Sequence, residues 1–214
     1  MSRALLTAIL LSALSLGQAI RSLASPPDPF NSEVPGLITL VARGAGGAAD
    51  PLGIFTVVVR DFNNVPHQNR EVVLDFSHCS DIRLSADQGD PNVTVDCAGR
   101  SLRKVSDVNG EATFRVSGSA TNFGGTQGAI GPCLDVSAAG VFFKSVRVAT
   151  LDQDGLSGVD SEDLSLFLAD YFSGQNFARS DYNGDGTLDG NDLSLWLAAF
   201  FAGGSAVSGG TACP

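Results

Sequence analysis

Little in this chain is equipped for catalysis. His67 and His78 are its only two histidines, and neither sits in a Gly-x-Ser-x-Gly or His-x-x-x-His context, so hydrolase and zinc-protease chemistry built on those motifs has no foothold. Aromatic residues with a polar handle are equally scarce. One Trp and two Tyr are present, all in the C-terminal part, and the stretch from 36 to 150 offers only Phe, which weakens any reading as a sugar-stacking platform. Thirteen Lys and Arg against 23 Asp and Glu give a net charge of −10, the wrong sign for a nucleic-acid binder. The four cysteines show no Cys-x-x-Cys spacing, which removes the common zinc and dithiol-redox sites.

The N-terminus carries the one strongly apolar run. Arg3 is followed by Ala4 to Leu16, too short to span a bilayer comfortably, and then by small residues. The segment 1–24 reads as a secretory signal peptide, cleaved after Ala19 or, at Ser22-Leu23-Ala24, after Ala24, with an uncleaved anchor as the alternative. Export to the outside of the cell or its surface fits the cysteines, since disulfides are the default in an oxidising compartment. Four cysteines allow three pairings. The expected one is Cys79 with Cys97, which flank one segment, leaving Cys133 with Cys213 to tie down the tail.

After a Pro-rich leader at 25–35, residues 36–150 are strand-like. Leu37–Val41, Ile54–Val59, Val72–Phe76, Val93–Val95, Ala112–Val116 and Val141–Val148 are β-branched and aromatic runs separated by Gly, Asn, Asp and Pro. Asn109-Gly110 reads as a hairpin turn, and Gly118–Gly131 as a loop. This pattern predicts a mainly β domain, a sandwich of seven or eight strands. The run Phe55–Asp61, a turn through Pro66, the run Arg70–Phe76 and the later Asp107-x-x-Gly-x-Ala-x-Phe114 are similar to bacterial immunoglobulin-like repeats of the invasin and intimin kind. That resemblance implies an immunoglobulin-like β-sandwich.

From Leu151 onward the balance shifts to ten acids and one base, Arg179, against thirteen acids and twelve bases before it. The acids belong to one pattern written twice between 151 and 202. In the second copy Asp181, Asn183, Asp185, Asp189 and Asp192 stand at positions one, three, five, nine and twelve of a loop. Thr187 offers a backbone carbonyl at seven and Gly186 the sharp turn at six. Oxygen donors at that spacing are what a hard cation such as Ca²⁺ requires. The first copy keeps Asp152, Asp154, Asp160 and Asp163 at one, three, nine and twelve. It has Leu156 at five and Ser157 at six, so Gly158 is expected to take over the turn. Two Ca²⁺ sites of unequal strength follow, the second tighter. Acidity concentrated in this repeat is what calcium sites need.

Each loop leads into an amphipathic helix. Leu164, Phe167, Leu168, Tyr171 and Phe172 form one stripe, and Leu193, Trp196, Leu197, Phe200 and Phe201 another; the two are expected to pack together. A smaller apolar edge of Leu166, Ala169, Leu195, Ala198, Ala199 and Ala202 either packs on the neighbouring domain or meets a partner. Both loops close with Asp, neither is preceded by a convincing helix, and both run into Leu-Ser-Leu-aromatic-Leu-Ala. Together these features resemble a dockerin module, a small α-helical calcium module. The resemblance implies a cohesin-like partner contacted through Ser161, Glu162, Gly190 and Asn191, with Leu195 and Ala198 alongside. The pairs differ in size and charge, which argues against a symmetric, two-way binding mode. Residues 203–214 read as a flexible tail.

Asp75, Asp81, Asp87, Asp90 and Asp96 supply carboxylates for a glycosidase on paper, yet no spacing singles out two of them. The expectation is therefore a secreted, non-enzymatic binding or adhesion-type protein whose acidic module binds two Ca²⁺ and docks to an extracellular partner. The alternative is a carbohydrate-binding or accessory component of extracellular polysaccharide breakdown.

Overall fold

Period-two burial organises the first two thirds of the chain. In the computed structural model, which describes residues 25–41, 51–121, 129–156, 158–201 and Cys213, Phe55 and Val57 face inward from β2 (Ile54–Val58), Val72 and Leu74 from β3 (Glu71–Asp75), and Ala112 and Phe114 from β7 (Glu111–Arg115). Successive side chains of a strand point to opposite faces, so each segment gives one face to the core and one to water. The expected signal segment 1–24, Ser157, Ala202, the centre of the glycine-rich run and the tail other than Cys213 lie outside the described residues.

The protein is mainly β. Ten strands, rather than seven or eight, are formed among the described residues: besides those above, β1 (Leu37–Leu40), β4 (Ile82–Leu84), β5 (Thr94–Asp96), β6 (Ser101–Val105), β8 (Gly118–Ala120), β9 (Leu134–Ala138) and β10 (Val141–Thr150). Six of them make one sheet in the order β1-β10-β9-β3-β6-β5, while β2 pairs with β7 and β4 with β8. All pairings are antiparallel except β1 with β10. The inward faces of these sheets share one buried cluster containing Ile38, Leu40, Phe55, Leu74, Phe76, Leu102, Phe114 and Val136. The expected loop at Gly118 thus begins as a strand.

Asn109-Gly110 does not close a hairpin. Its flanking strands go to different sheets, β6 to β3 and β5, β7 to β2. The Asp107 carboxylate accepts the N–H groups of Asn109 and Glu111, and Gly110 sits at φ 78° with its carbonyl on Val59 N–H. A side chain at that glycine would meet the Val59 carbonyl oxygen at 2.5 Å. The turn is an arch between sheets, and its glycine serves close backbone approach as much as the left-handed φ.

The disulfides also differ from expectation: Cys79 pairs with Cys133 and Cys97 with Cys213. Strand order is the reason. Cys79 follows β3 and Cys97 follows β5, and β6 lies between those strands. Two strand spacings are roughly 9–10 Å, beyond the reach of one bridge. Cys133 precedes β9, which is directly beside β3, so its Cα comes within 5.0 Å of that of Cys79.

Strand β10 ends at Thr150, and the first acidic loop begins at Asp152. The helices α1 (Ser161–Ser173) and α2 (Gly190–Ala199) follow the two loops. Loop one is preceded by a strand and loop two by a single 3-10 turn, Ala178–Ser180. A second buried cluster joins Val41, Ala149 and Leu151 of the β region to Val159, Phe167, Tyr182, Trp196 and Ala199. The helical stripes pack into this mixed cluster rather than on each other alone. Phe167 stacks on Tyr182, and Trp196 Nε1 donates to the Leu151 carbonyl at 3.2 Å. The distal stripe residues Phe172 and Phe201 are 78% and 79% exposed, against expectation. No helix among the described residues is long and apolar enough to cross a membrane.

Candidate metal centre

The two loops fold alike because the same backbone donors meet the same carboxylates. At position twelve, Asp163 accepts the N–H groups of Gln153, Asp154 and Asp160, and Asp192 those of Tyr182, Asn183 and Asp189. Position one accepts the N–H of position four, Gly155 to Asp152 and Gly184 to Asp181. Position nine caps the following helix, Asp160 through Glu162 N–H and Asp189 through Asn191 N–H, each within a capping box closed by the position-twelve Asp. An acid at a helix N-terminus also faces the positive end of the helix dipole. Asp160 and Asp189, expected as ligands from their loop position, thus start the helices, a role legible in the same Asp-x-x-Asp spacing.

Glycine carries the tight bends. Gly158 at φ 82° turns the first loop, as expected, and Gly186 at φ 88° the second. Gly155 and Gly184, at position four of each copy, are also left-handed. The glycine at position four recurs in both copies, which is the sequence signal of this turn.

Three carboxylates converge in the first loop. Oxygens of Asp152, Asp154 and Asp163 all lie within 4.8 Å of one another. Asp152 has no solvent exposure, and its Oδ2 is buried without a hydrogen-bond partner. Burial, reinforced by the charge of Asp163, pushes the Asp152 carboxyl up to about 8. Burial raises Asp163 to about 6 despite the three N–H groups on it. Such a triad could hold a metal ion, and the orphaned oxygen is where charge compensation is missing.

In the second loop the carboxylates do not converge to the same degree among the described residues. A guanidinium reaches in from β10: Arg147 donates to Asp181 Oδ2 at 2.7 Å and to the Gly184 carbonyl. Asp185 accepts from Thr187 and Asn183, whose bonds hold it below the ordinary carboxylate range, the Thr187 hydroxyl foremost. Burial raises Asp192.

Between the loops lies a buried polar network. Gln153 Nε2 donates to Tyr182 Oη at 3.0 Å and Ser180 Oγ at 3.1 Å, and Tyr182 Oη donates to the Thr150 carbonyl at 2.8 Å. Arg179, the lone base of the repeat, makes a two-pronged pair with Asp170 at 2.8 and 2.7 Å. Its remaining nitrogen lies 3.9 Å from Asp81 of the β region. Asp81 is itself buried, with Oδ1 unpartnered, and burial raises its carboxyl.

The residues expected to meet a partner are mostly exposed. Ser161, Glu162, Gly190, Asn191 and Ala198 are exposed and Leu195 is half-buried. Ala199 from the same apolar edge is buried.

Elsewhere the candidate acids serve turns: Asp75, Asp87, Asp90 and Asp96 accept from backbone N–H groups two or three residues on. His78 is exposed beside Asp135. His67 is buried. Ser25 Oγ donates to Asp61 Oδ2 at 2.8 Å and lies 3.2 Å from His67 Nε2, while Arg70 Nε donates to His67 Nδ1 at 2.9 Å. With Nδ1 accepting from Arg70, the ring proton sits on Nε2 and faces Ser25, the reverse of what a general base toward that hydroxyl needs.

No family model matches this chain, and no curated protein or solved structure matches it either.

Proposed function

We propose that the chain is a secreted, non-enzymatic binding protein in which an immunoglobulin-like sandwich carries a dockerin-type calcium module that docks to a cohesin-like extracellular partner. The observation that carries this reading is the buried, unpartnered Oδ2 of Asp152 inside a triad of converging carboxylates. Like charges held that close in a buried place are costly without a cation. Asp152, Asp154 and Asp163 would hold the ion of the first loop. Asp181, Asn183, Asp185 and Asp192 are the donors of the second, with the Thr187 carbonyl completing the set. All are oxygen ligands, which favours Ca²⁺ over softer metals.

Calcium would supply positive charge that locks both loops, and through the position-nine caps it would fix the starts of α1 and α2. The exposed residues Ser161, Glu162, Gly190, Asn191 and Ala198 would then be presented on an ordered surface. Calorimetric titration of the chelated, mature chain tests this. Binding of two ions, with gain of helix and a raised melting temperature, is expected; absence of binding in the micromolar range overturns the calcium reading.

A further inference from the structure

The aspartates at position one of the two loops differ in the partners of a single oxygen. In the first loop Asp152 Oδ1 accepts the Gly155 N–H at 2.6 Å, while the buried Oδ2 has no partner. In the second, Asp181 Oδ1 accepts the Gly184 N–H at 2.8 Å in the same way. Its Oδ2, however, takes the Gly186 N–H at 3.0 Å and the Arg147 guanidinium at 2.7 Å. An oxygen with two donors on it has both lone pairs engaged. Burial does not separate the two residues, Asp181 being 1% exposed and Asp152 0%. The cation beside one of them does.

Arg147 is held in place for this contact. It lies in β10 opposite Leu37 of β1, and its backbone N–H donates to the Gly36 carbonyl at 3.2 Å. The second loop leans on the same edge, since a side chain at Gly184 would meet Leu37 Cβ at 3.2 Å. The guanidinium also donates to the Gly184 carbonyl, so its planar fork spans two points of the loop. Its charge reaches Asp185 as well, adding to the Thr187 hydroxyl bond that chiefly holds that carboxyl below the ordinary range. The first loop rests on β8 instead, through backbone: the Ala120 N–H donates to the Asp152 carbonyl at 2.8 Å.

We infer that Arg147 is the built-in cation of the second loop: calcium binds there only by displacing it, so the first loop fills first, the reverse of the order that the loop spacings predict. This inference rests on the calcium reading of both loops. A metal ion entering the second loop needs the Asp181 oxygen that Arg147 holds, and it gains less there because that charge is already compensated. Entry to the first loop displaces no donor from Asp152 Oδ2. Filling the second loop also releases its tie to β10, so this loop answers only to higher calcium.

Calorimetric calcium titration of the chelated chain and of its Asp152→Asn and Arg147→Gln variants tests the order. The step that weakens more in Asp152→Asn belongs to the first loop, and it is expected to be the tighter step of the natural chain. Arg147→Gln should tighten the other step by about tenfold. Because that variant loses a strut, a second readout uses the natural chain. In isotope-labelled protein the Arg147 side-chain N–H signals should be protected from solvent exchange in chelator and with one ion bound, and should lose that protection as the second ion enters. A tighter second loop in the natural chain, an unchanged step in Arg147→Gln, or Arg147 protection that persists with both ions bound overturns the inference and leaves the calcium reading standing. No binding by the natural chain or either variant overturns both.

Discussion

Gln153 and Tyr182 occupy position two of their respective loops, and the side-chain amide of the first donates to the phenolic oxygen of the second across 3.0 Å. Each residue also gives its backbone N–H to the position-twelve carboxylate of its own loop. The two candidate sites are thus joined through a buried hydrogen bond. Tyr182→Phe removes the hydroxyl from this network while Gln153 Nε2 keeps the Thr150 carbonyl and Ser180 Oγ, so the cost should be about 0.5–1.5 kcal/mol. Calcium titration should show positive coupling between the two ions in the natural chain, and its loss or weakening in the variant.

Asp152→Asn separates metal binding from folding. The amide removes the charge that burial penalises, so the chelated variant should melt higher than the natural chain. Calcium affinity of the first loop should fall by at least about tenfold, because a charged ligand has been lost. Paired melting curves with and without calcium check both signs.

Stability of the metal-free protein should fall as pH rises. Asp81, Asp152 and Asp163 are all held above their unfolded value of 3.8 by burial, Asp163 to about 6 and Asp152 to about 8. A carboxyl raised on folding contributes its full stabilisation below the unfolded pKa and loses it as pH climbs through the folded one. Melting temperatures in chelator should therefore drop between about pH 4 and pH 8. Saturating calcium should abolish or reverse that drop, since a bound cation stabilises the ionised form.

Arg147 ties the β region to the second loop through Asp181, whose side chain is 2% exposed. Arg147→Gln should cost about 1–2 kcal/mol, a partly exposed guanidinium being worth less than a buried one. Hydrogen exchange at the amides of Gly184 and Gly186, both bonded to Asp181, should accelerate, while amides in β3 and β9 stay protected.

Non-reducing peptide mapping should find Cys79 with Cys133 and Cys97 with Cys213. Sequence separations of 54 and 116 residues make each bridge worth about 4–5 kcal/mol by chain entropy. Cys97→Ser with Cys213→Ser should lower the melting temperature by about 10–20 °C and leave the tail open to proteolysis.

Sequence by itself determined the mainly β character, the acidic repeat and the helix after each loop. Those are local properties: Val and Phe alternation, oxygen donors at fixed loop positions, and apolar residues three and four apart act within a few residues of chain. The strands it missed, β4, β6, β8 and β9, are short or rich in Ser, Gly, Ala and charge, and they exist because neighbours supply their hydrogen bonds. Only the tertiary structure decided which cysteines meet, since β6 must first insert between β3 and β5. It alone turned Asn109-Gly110 into an arch, buried His67 against Ser25 and Asp61, and brought Arg147 onto Asp181. Each of those depends on strand order, and strand order is set by how distant segments share one core, which no local spacing encodes.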